Sequence, residues 1–303
     1  MNFGLIGTIT YDEITFESGQ RISGLGGVLY QASVLCGLGK NVFLHTNLGE
    51  ELAGDVNKLV RKWSTLRKKG MRRVPGPGNR VNLHYPEKGE RVEVLKSVVP
   101  PLDPGPLIEG IHKFGMLILV INSGYDLQLS HWRDIVESAS CPIWIDVHSL
   151  FLSRELNVPR KYIPLGEWRE WIKGVNFLQA NLKEVASMLG TPEDVPSETD
   201  LSRFGEKSFE LGVEAVFVTL GKDGVLVLKQ GRSLKISALQ AGTIVDTTGC
   251  GDVFCGGAVV KLAMGKDPFD AAQFGLELAT QAVEVKGIEE TFKLVKEYRK
   301  SKK

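Results

Sequence analysis

The chain is 303 residues long, 43% hydrophobic and 24% charged, values ordinary for a globular protein. Lys and Arg number 37 against 36 Asp and Glu, a formal net charge of +1, which argues against broad binding to nucleic acid or to a membrane surface. The length accommodates one large α/β domain or two smaller ones around a substantial core.

Residues 2–7 read as a first strand. Ile14, Phe16 and, after a Ser-Gly turn, Ile22 suggest a short hairpin. The glycines Gly24, Gly26 and Gly27 then open a helix running to Leu38, with Gly39 at its C-terminal end. Residues 42–46 read as a strand and 50–69 as a helix with a basic tail. The basic stretch 61–73 is expected to be a solvated helix face. Residues 81–85 and 91–95 form a hairpin around a turn at 86–89, and 100–106 is a loop. Strand, helix and strand follow at 116–121, 127–137 and 143–146. Residues 177–180 and a helix to Leu189 repeat the unit, and 200–211 is helical. Strands at 215–220, 224–229 and 233–236 precede two apolar helices, 252–264 and 268–285, and a polar terminal helix, 289–299.

Alternating βα units with apolar strands imply a mostly parallel sheet covered by helices on both faces. The strand-rich insertions do not fit that layer. They would form a small accessory sheet, and one lying over the carboxyl edge of the main sheet would act as a lid, since open α/β sheets bind ligands at that edge. The start of the chain has no basic segment followed by a signal-like apolar stretch. The longest apolar run, 116–121, falls far short of the roughly 20 residues of a membrane helix. Cys36, Cys141, Cys250 and Cys255 form no CxxC pair and have no zinc-like spacing with His, so they are read as reduced thiols in a cytoplasmic protein.

The strongest chemical signal is the segment Asp246-Thr247-Thr248-Gly249-Cys250-Gly251-Asp252, with Phe254 and Gly256-Gly257 after it. Gly249-Cys250-Gly251 stands where backbone N–H groups converge at a helix N-terminus, a setting that suits a phosphate. A carboxylate at Asp252 would repel that phosphate unless it has a task, such as accepting a proton from an attacking hydroxyl. The competing reading is a helix cap. The P-loop, the complete dinucleotide fingerprint, the GxSxG elbow, HExxH and EF-hand patterns are all missing from the sequence.

Residues 246–257 closely resemble the signature of the ribokinase-like carbohydrate kinases, the PfkB family. Asp12 and the Gly26-Gly27 helix start resemble that family's sugar-binding N-terminal region. Asn181-Leu182-Lys183-Glu184 resembles its N-x-x-E element, and Thr219 to Gly224 its T-x-G-x-x-G nucleotide turn. The resemblance implies a single ribokinase-like domain over 1–303: a three-layer α/β sandwich with a small β lid from about 13–23 and 81–96.

It also implies roles for the matching residues. Asp252 is the base and Gly249, Cys250 and Gly251 the anion hole. Asp12, Gly26, Gly27, Tyr30 and Asn122 face the substrate. Asn181, Thr219, Gly221, Gly224 and Ala279 meet the nucleotide. Glu184 with Asn181 holds Mg²⁺ through water, and Asp246 with Thr248 can hold a monovalent cation such as K⁺. ATP is the implied co-substrate, and a sugar or sugar-like alcohol the implied acceptor. Each position keeps a plainer reading: Asn181 and Glu184 as a capping box, the Thr219 segment and Asp12 as turns, Ala279 as helix core, Asp246 and Thr248 as a loop brace.

Departures from the family pattern are Tyr30 at the place of a sugar-touching Asn, Cys250 for the common Ala, and Asp146-Val147-His148 for Asp-Pro-Asn. Tyr30 and the lid residue Phe16 could stack on a nucleoside base, which keeps a nucleoside kinase open. A catalytically silent nucleotide- or sugar-binding protein is a further alternative. Exposed lid edges make a homodimer through the lid an expectation. If Asp252 is the base, Asp252→Asn keeps the fold, seen in an unchanged circular dichroism spectrum, and loses turnover by about 10²–10⁴-fold; full turnover would remove it from that role.

Overall fold

The computed structural model describes residues 1–87 and 91–302. In chain order, β1 (Asn2–Ile6) leads to the hairpin β2 (Ile9–Phe16) and β3 (Arg21–Gly27), then to α1 (Leu29–Gly37) and β4 (Asn41–Gly49). A 3-10 turn at Glu50–Leu52 precedes α2 (Ala53–Val60), β5 (Leu66–Arg67), β6 (Met71–Val74), β7 (Asn79–Tyr85) and β8 (Val92–Ser97). Next come α3 (Gly105–Ile108), β9 (Met116–Val120), α4 (Leu129–Ser138), β10 (Ile143–Asp146), α5 (Trp168–Ile172) and β11 (Phe177–Asn181). The chain ends with α6 (Leu182–Leu189), α7 (Glu198–Glu210), β12 (Ala215–Thr219), β13 (Val225–Lys229), β14 (Arg232–Ile236), α8 (Cys250–Leu262), α9 (Pro268–Ala282) and α10 (Gly287–Ser301).

The main sheet has the order β14-β13-β12-β11-β10-β9-β1-β4-β5, with β6 also paired to β4. Its pairings are parallel except for β12 with β13 and β13 with β14. Parallel strands bury both faces, and the sequence complies. In β9, Met116, Ile118 and Val120 enter one apolar layer with Trp144 and Phe217. Leu117 and Leu119 enter the other with Ile145 and Leu178. The first layer is closed by α1, α8, α9 and α10 through Val34, Val259, Leu278 and Val295. The second is closed by α4 to α7 through Trp132, Ile172, Val185 and Phe204. The architecture is the expected three-layer α/β sandwich.

The second sheet has the order β3-β2-β7-β8, with β2 and β7 parallel and the outer pairs antiparallel. Ile14, Val81, Leu83 and Leu95 form its own small core, flanked by Phe16 stacked on Tyr85 with ring centroids 5.6 Å apart. Its β8 edge is covered rather than free. Val94 bridges Pro159, Leu95 O accepts Asn157 N at 2.8 Å, and Glu93 O accepts Arg160 N at 2.8 Å. The buried Arg160 guanidinium donates to Glu93 Oε1 at 2.7 Å and to the carbonyls of Ser123, Ser149 and Ser153.

Several sequence expectations need correction. Residues 50–69 are not one helix. The helix ends at Val60, and Leu66–Arg67 and Met71–Val74 pair with β4, so most of the basic stretch 61–73 lies in turns and short strands. Backbone pairing to an existing edge has outweighed the helix propensity of Lys and Arg. Gly24, Gly26 and Gly27 lie in β3 and do not open the helix, which starts at Leu29, and the lid strands run 9–16 and 21–27. Asp12 accordingly sits inside β2, not just after the first strand. The loop at 100–106 runs into α3, which starts at Gly105. Of the turn expected at 86–89, Lys88 and Gly89 lie outside the described residues.

The helix α8 is buried nearly all round and is wedged between two others. A Cβ on Gly256 would stand 2.7 Å from Val34 Cβ of α1, and one on Gly257 would stand 3.0 Å from Gly275 Cα of α9. A Cβ on Gly275 would stand 2.7 Å from the Phe254 carbonyl oxygen. The contact therefore has no room for a larger side chain. Gly275→Val should destabilise the fold by about 1–3 kcal/mol, by overpacking, read as a lowered urea midpoint.

Candidate active site

The loop before α8 ends at Gly249, which caps the helix with φ at 79°. That left-handed conformation favours glycine. Space demands it too, because a Cβ there would come within 2.5 Å of the Tyr30 ring. Tyr30 is buried in the first turn of α1 and forms the floor under the loop. Cys250, Gly251 and Asp252 make the first turn of α8, so their N–H groups are among those left without helical partners. Asp252 is not the cap. Its Oδ1 accepts from Nε2 of Gln31, the fully buried neighbour of Tyr30. On the other side, Gly251 O accepts from Nε2 of Gln179 in β11, at 3.2 Å.

Three cavities meet at this turn. A cleft of about 770 Å³ is lined by Asn181, Thr219, Gly221, Gly224, Cys250, Gly251 and Ala279, with Phe254, Leu276 and Val283. Leu239 and Ile244, both more than half exposed, form apolar lips at this cleft. A middle cavity of about 200 Å³ brings together Asp146, His148, Gln179, Asn181, Glu184 and residues 247–252. A third, of about 60 Å³, lies under the lid between Asp12, Gly27, Tyr30, Asn122, Thr248, Gly249 and Asp252, with Val81, Leu83, Arg91 and Glu93 from the lid strands and beside them.

Gly26 lines none of these cavities. Its missing side chain makes room for Asp12, whose Oδ2 would lie 2.1 Å from a Cβ there. Gly224 has φ at 99°, and a Cβ on it would stand 2.0 Å from Ile236 O, so this turn is closed tightly over the end of β14. Asn122 Oδ1 is buried with no partner among the described residues. The Asn122 backbone is held by Asp126, which accepts Asn122 N at 3.0 Å and also Thr8 N and Oγ1, tying the ends of β1 and β9 together.

Asn181 and Glu184 form a reciprocal capping box at α6. Asn181 Oδ1 accepts Glu184 N at 2.9 Å, and Glu184 Oε2 accepts Asn181 N at 2.7 Å. Glu184 Oε1 accepts Asn181 Nδ2 at 2.7 Å and lies 3.8 Å from His148 Nδ1. Asp246 Oδ1 accepts Thr248 N at 2.9 Å, which braces the loop, and Asp246 borders none of the three cavities. Among the described residues no three His, Cys, Asp or Glu side chains converge as a metal cage. A Mg²⁺ ion here would have to take most of its oxygen ligands from phosphates and water, as Mg²⁺ commonly does.

Acidic groups crowd this space. Burial pushes Asp252 up to about 6, against the His148 charge and the Gln31 hydrogen bond, which pull it down. Burial likewise pushes Asp12 up to about 6 and Asp146 well above the usual carboxylate range. Burial works to lower His148, but its hydrogen bond with Glu184 and the charges of Glu184, Asp146 and Asp252 outweigh it and raise the imidazole to about 9.

Gln31, Gln179, Asp126 and Arg91 were not singled out from the sequence. The available signal was a polar side chain inside an apolar element: Gln31 in the buried α1, Gln179 in the strand Phe-Leu-Gln-Ala-Asn.

Comparison with known proteins agrees with this arrangement. Residues 154–293 match the pfkB family of carbohydrate kinases. That stretch is a little under half of the chain, and over it the chain is similar to the family. Ribokinase from Arabidopsis thaliana is 28% identical over 153 residues, which cover 50% of this chain and 36% of that protein. The aligned region thus spans well under half of that relative's length. In solved structures, the complex of Arabidopsis thaliana ribokinase with ribose and ATP superposes with a TM-score of 0.73 at 19% identity, covering 98% of each chain. The nucleoside kinase of Burkholderia thailandensis, in complex with inosine, has a TM-score of 0.75 at 15% identity, covering 100% of this chain and 98% of that one. At such identities the likeness establishes the ribokinase fold.

A base acts in its ionised form, so with Asp252 raised to about 6 activity should be complete above that value and fall as the pH drops through it. The acid limb of kcat/KM for the wild-type protein is the measurement; a profile flat down through that value contradicts the assignment.

Proposed function

We propose that the chain transfers the γ-phosphoryl group of ATP to a hydroxyl of a small sugar or sugar-like polyol. One observation carries this reading: Asp252 and the amide turn 249–251 stand where a large cleft, a middle cavity and a lidded cavity adjoin.

In this reading ATP lies in the large cleft, its adenine between the apolar lips and the α9 face at Ala279, its phosphates toward Thr219, Asn181 and the start of α8. The acceptor lies under the lid. Asp12 and the unpartnered Asn122 Oδ1 accept hydrogen bonds from its hydroxyls. Asp252 takes the proton of the attacking hydroxyl, and Gln31 holds that carboxylate in place. The N–H groups of residues 249–251 receive the developing phosphoryl charge, and Gln179 fixes their loop from behind. Glu184, through water and with Asn181 beside it, would hold Mg²⁺, which would supply positive charge to offset that of the phosphates. Catalysis is mainly positioning and electrostatics.

The cavity under the lid favours a compact acceptor. It measures about 60 Å³. Of the rings that could have stacked on a nucleoside base, Phe16 is held against Tyr85, and Tyr30, which lines this cavity, lies under Gly249. For a homodimer through the lid, the surface to be buried is polar and includes Glu13, Thr15, Arg21, Ser23 and Asn82.

The test is ATP consumption with Mg²⁺ against pentoses, hexoses, inositols, sugar phosphates and nucleosides. Turnover with a free sugar or polyol is expected. A nucleoside as the sole acceptor would replace the proposal with the nucleoside-kinase reading. Bound ATP without turnover on any acceptor would leave a binding protein on a kinase fold.

A further inference from the structure

Among the described residues, Arg91 alone borders the large cleft, the middle cavity and the cavity under the lid. It precedes β8 directly, and its side chain is 35% exposed, open to a ligand yet partly enclosed. Its carboxylate neighbours around the junction are Asp12, Asp252 and Glu93. We infer that Arg91 is a further catalytic residue, whose guanidinium grips the transferred phosphoryl group from the lid side. This rests on the phosphotransferase reading above.

The charge distribution asks for such a group. A triphosphate would enter a space bounded by Asp12, Asp146, Glu184 and Asp252, and the turn 249–251 offers it only backbone N–H groups. The chain has no P-loop lysine to add a full charge. His148 is already engaged by the Glu184 carboxylate. Arg91 is not tightly held in the same way. Its Nη2 lies 3.4 Å from Glu93 Oε2, while Glu93 Oε1 is taken by Arg160 at 2.7 Å. Tyr85 is a further neighbour. A guanidinium has five N–H donors in a planar fork that matches phosphate oxygens, so donors remain for a ligand.

The lid edge is also pinned. The contacts of Asn157, Pro159 and Arg160 with β8 hold the strand that Arg91 leads into. The backbone that carries the guanidinium is thereby placed before the ligand arrives, and a charge set in place beforehand stabilises a transition state most.

In the transfer, the acceptor oxygen bonds to the γ-phosphorus as its proton passes to Asp252. The bond from that phosphorus to the β,γ-bridging oxygen breaks, and ADP leaves with the electron pair. Arg91 keeps its protons throughout. It acts on the equatorial oxygens, where charge is spread in the transition state.

The same fork could instead hold a phosphate already carried by the acceptor, and the experiment separates these sources. The β,γ-imido analogue of ATP and ADP are titrated calorimetrically, with Mg²⁺, into wild type, Arg91→Gln and Arg91→Lys, after circular dichroism has confirmed that all three fold. For Arg91→Gln the analogue should bind about tenfold more weakly with ADP affinity unchanged, and kcat on the best acceptor should fall by about 10²–10³-fold with the acceptor KM unchanged. Arg91→Lys should recover part of both. An analogue-to-ADP affinity ratio unaltered in Arg91→Gln overturns the inference. A raised KM confined to phosphorylated acceptors does so in favour of an acceptor-phosphate site. The binding arm needs no turnover, so a wild type that phosphorylates nothing refutes the phosphotransferase reading separately.

Discussion

The first two turns of α8 lie against α1 at a separation that only glycine backbone permits. Gly249 rests on the Tyr30 ring and Gly256 on Val34, and between them the Asp252 carboxylate meets Gln31. This approach aligns the 249–251 amide turn with the Asp252 carboxylate and sets both at the carboxyl edge of the sheet. It also settles where polar groups go in a largely apolar layer. Gln31 and Gln179 each donate Nε2 to the α8 turn, while the Oε1 of each is buried with no partner among the described residues, a burial that costs free energy. Glycines at 256, 257 and 275 do the same for helix packing, trading side-chain contacts for the nearness of whole helices.

Much of this was legible in sequence. The Gly-Cys-Gly-Asp turn, the Asn-x-x-Glu box and the Thr-x-Gly turn are local: a few consecutive residues contain both the backbone demand and the chemistry. The βα alternation showed equally well, because strands covered on both faces need uninterrupted apolar runs. What could not be read depends on distant partners. Gln31 is ordinary in its own helix and acquires meaning only from Asp252, 221 residues later. Arg91 looks like any hairpin cation until the lid folds over the sheet edge. The misread helix at 50–69 failed for the same reason, since β5 and β6 exist only as partners of β4. Gly24 to Gly27 look like the opening of a helix because glycine is rare in strands, yet at Gly26 a strand is what brings the Asp12 carboxylate into its place.

Electrostatically the site is a concentration of buried acids. Asp12, Asp146 and Asp252 all sit above their ordinary range, chiefly through lost hydration. Two cations border both the middle cavity and the cavity under the lid, His148 beside Glu184 and Arg91 at the lid. Such a space is poised to change on loading, because a bound polyanion alters every neighbouring proton equilibrium at once.

The stitching of β8 bears on how the two sheets relate as parts. Arg160 has a fully buried side chain, and the lid residue Glu93 is the only carboxylate it pairs with among the described residues. Removing the lid strands would strand that guanidinium inside the body, and breaking a buried pair from one side costs about 3–5 kcal/mol. The accessory sheet is therefore not an exchangeable module. A chimera that swaps lids between relatives must carry the 157–160 segment with the graft, or supply a carboxylate at the position of Glu93.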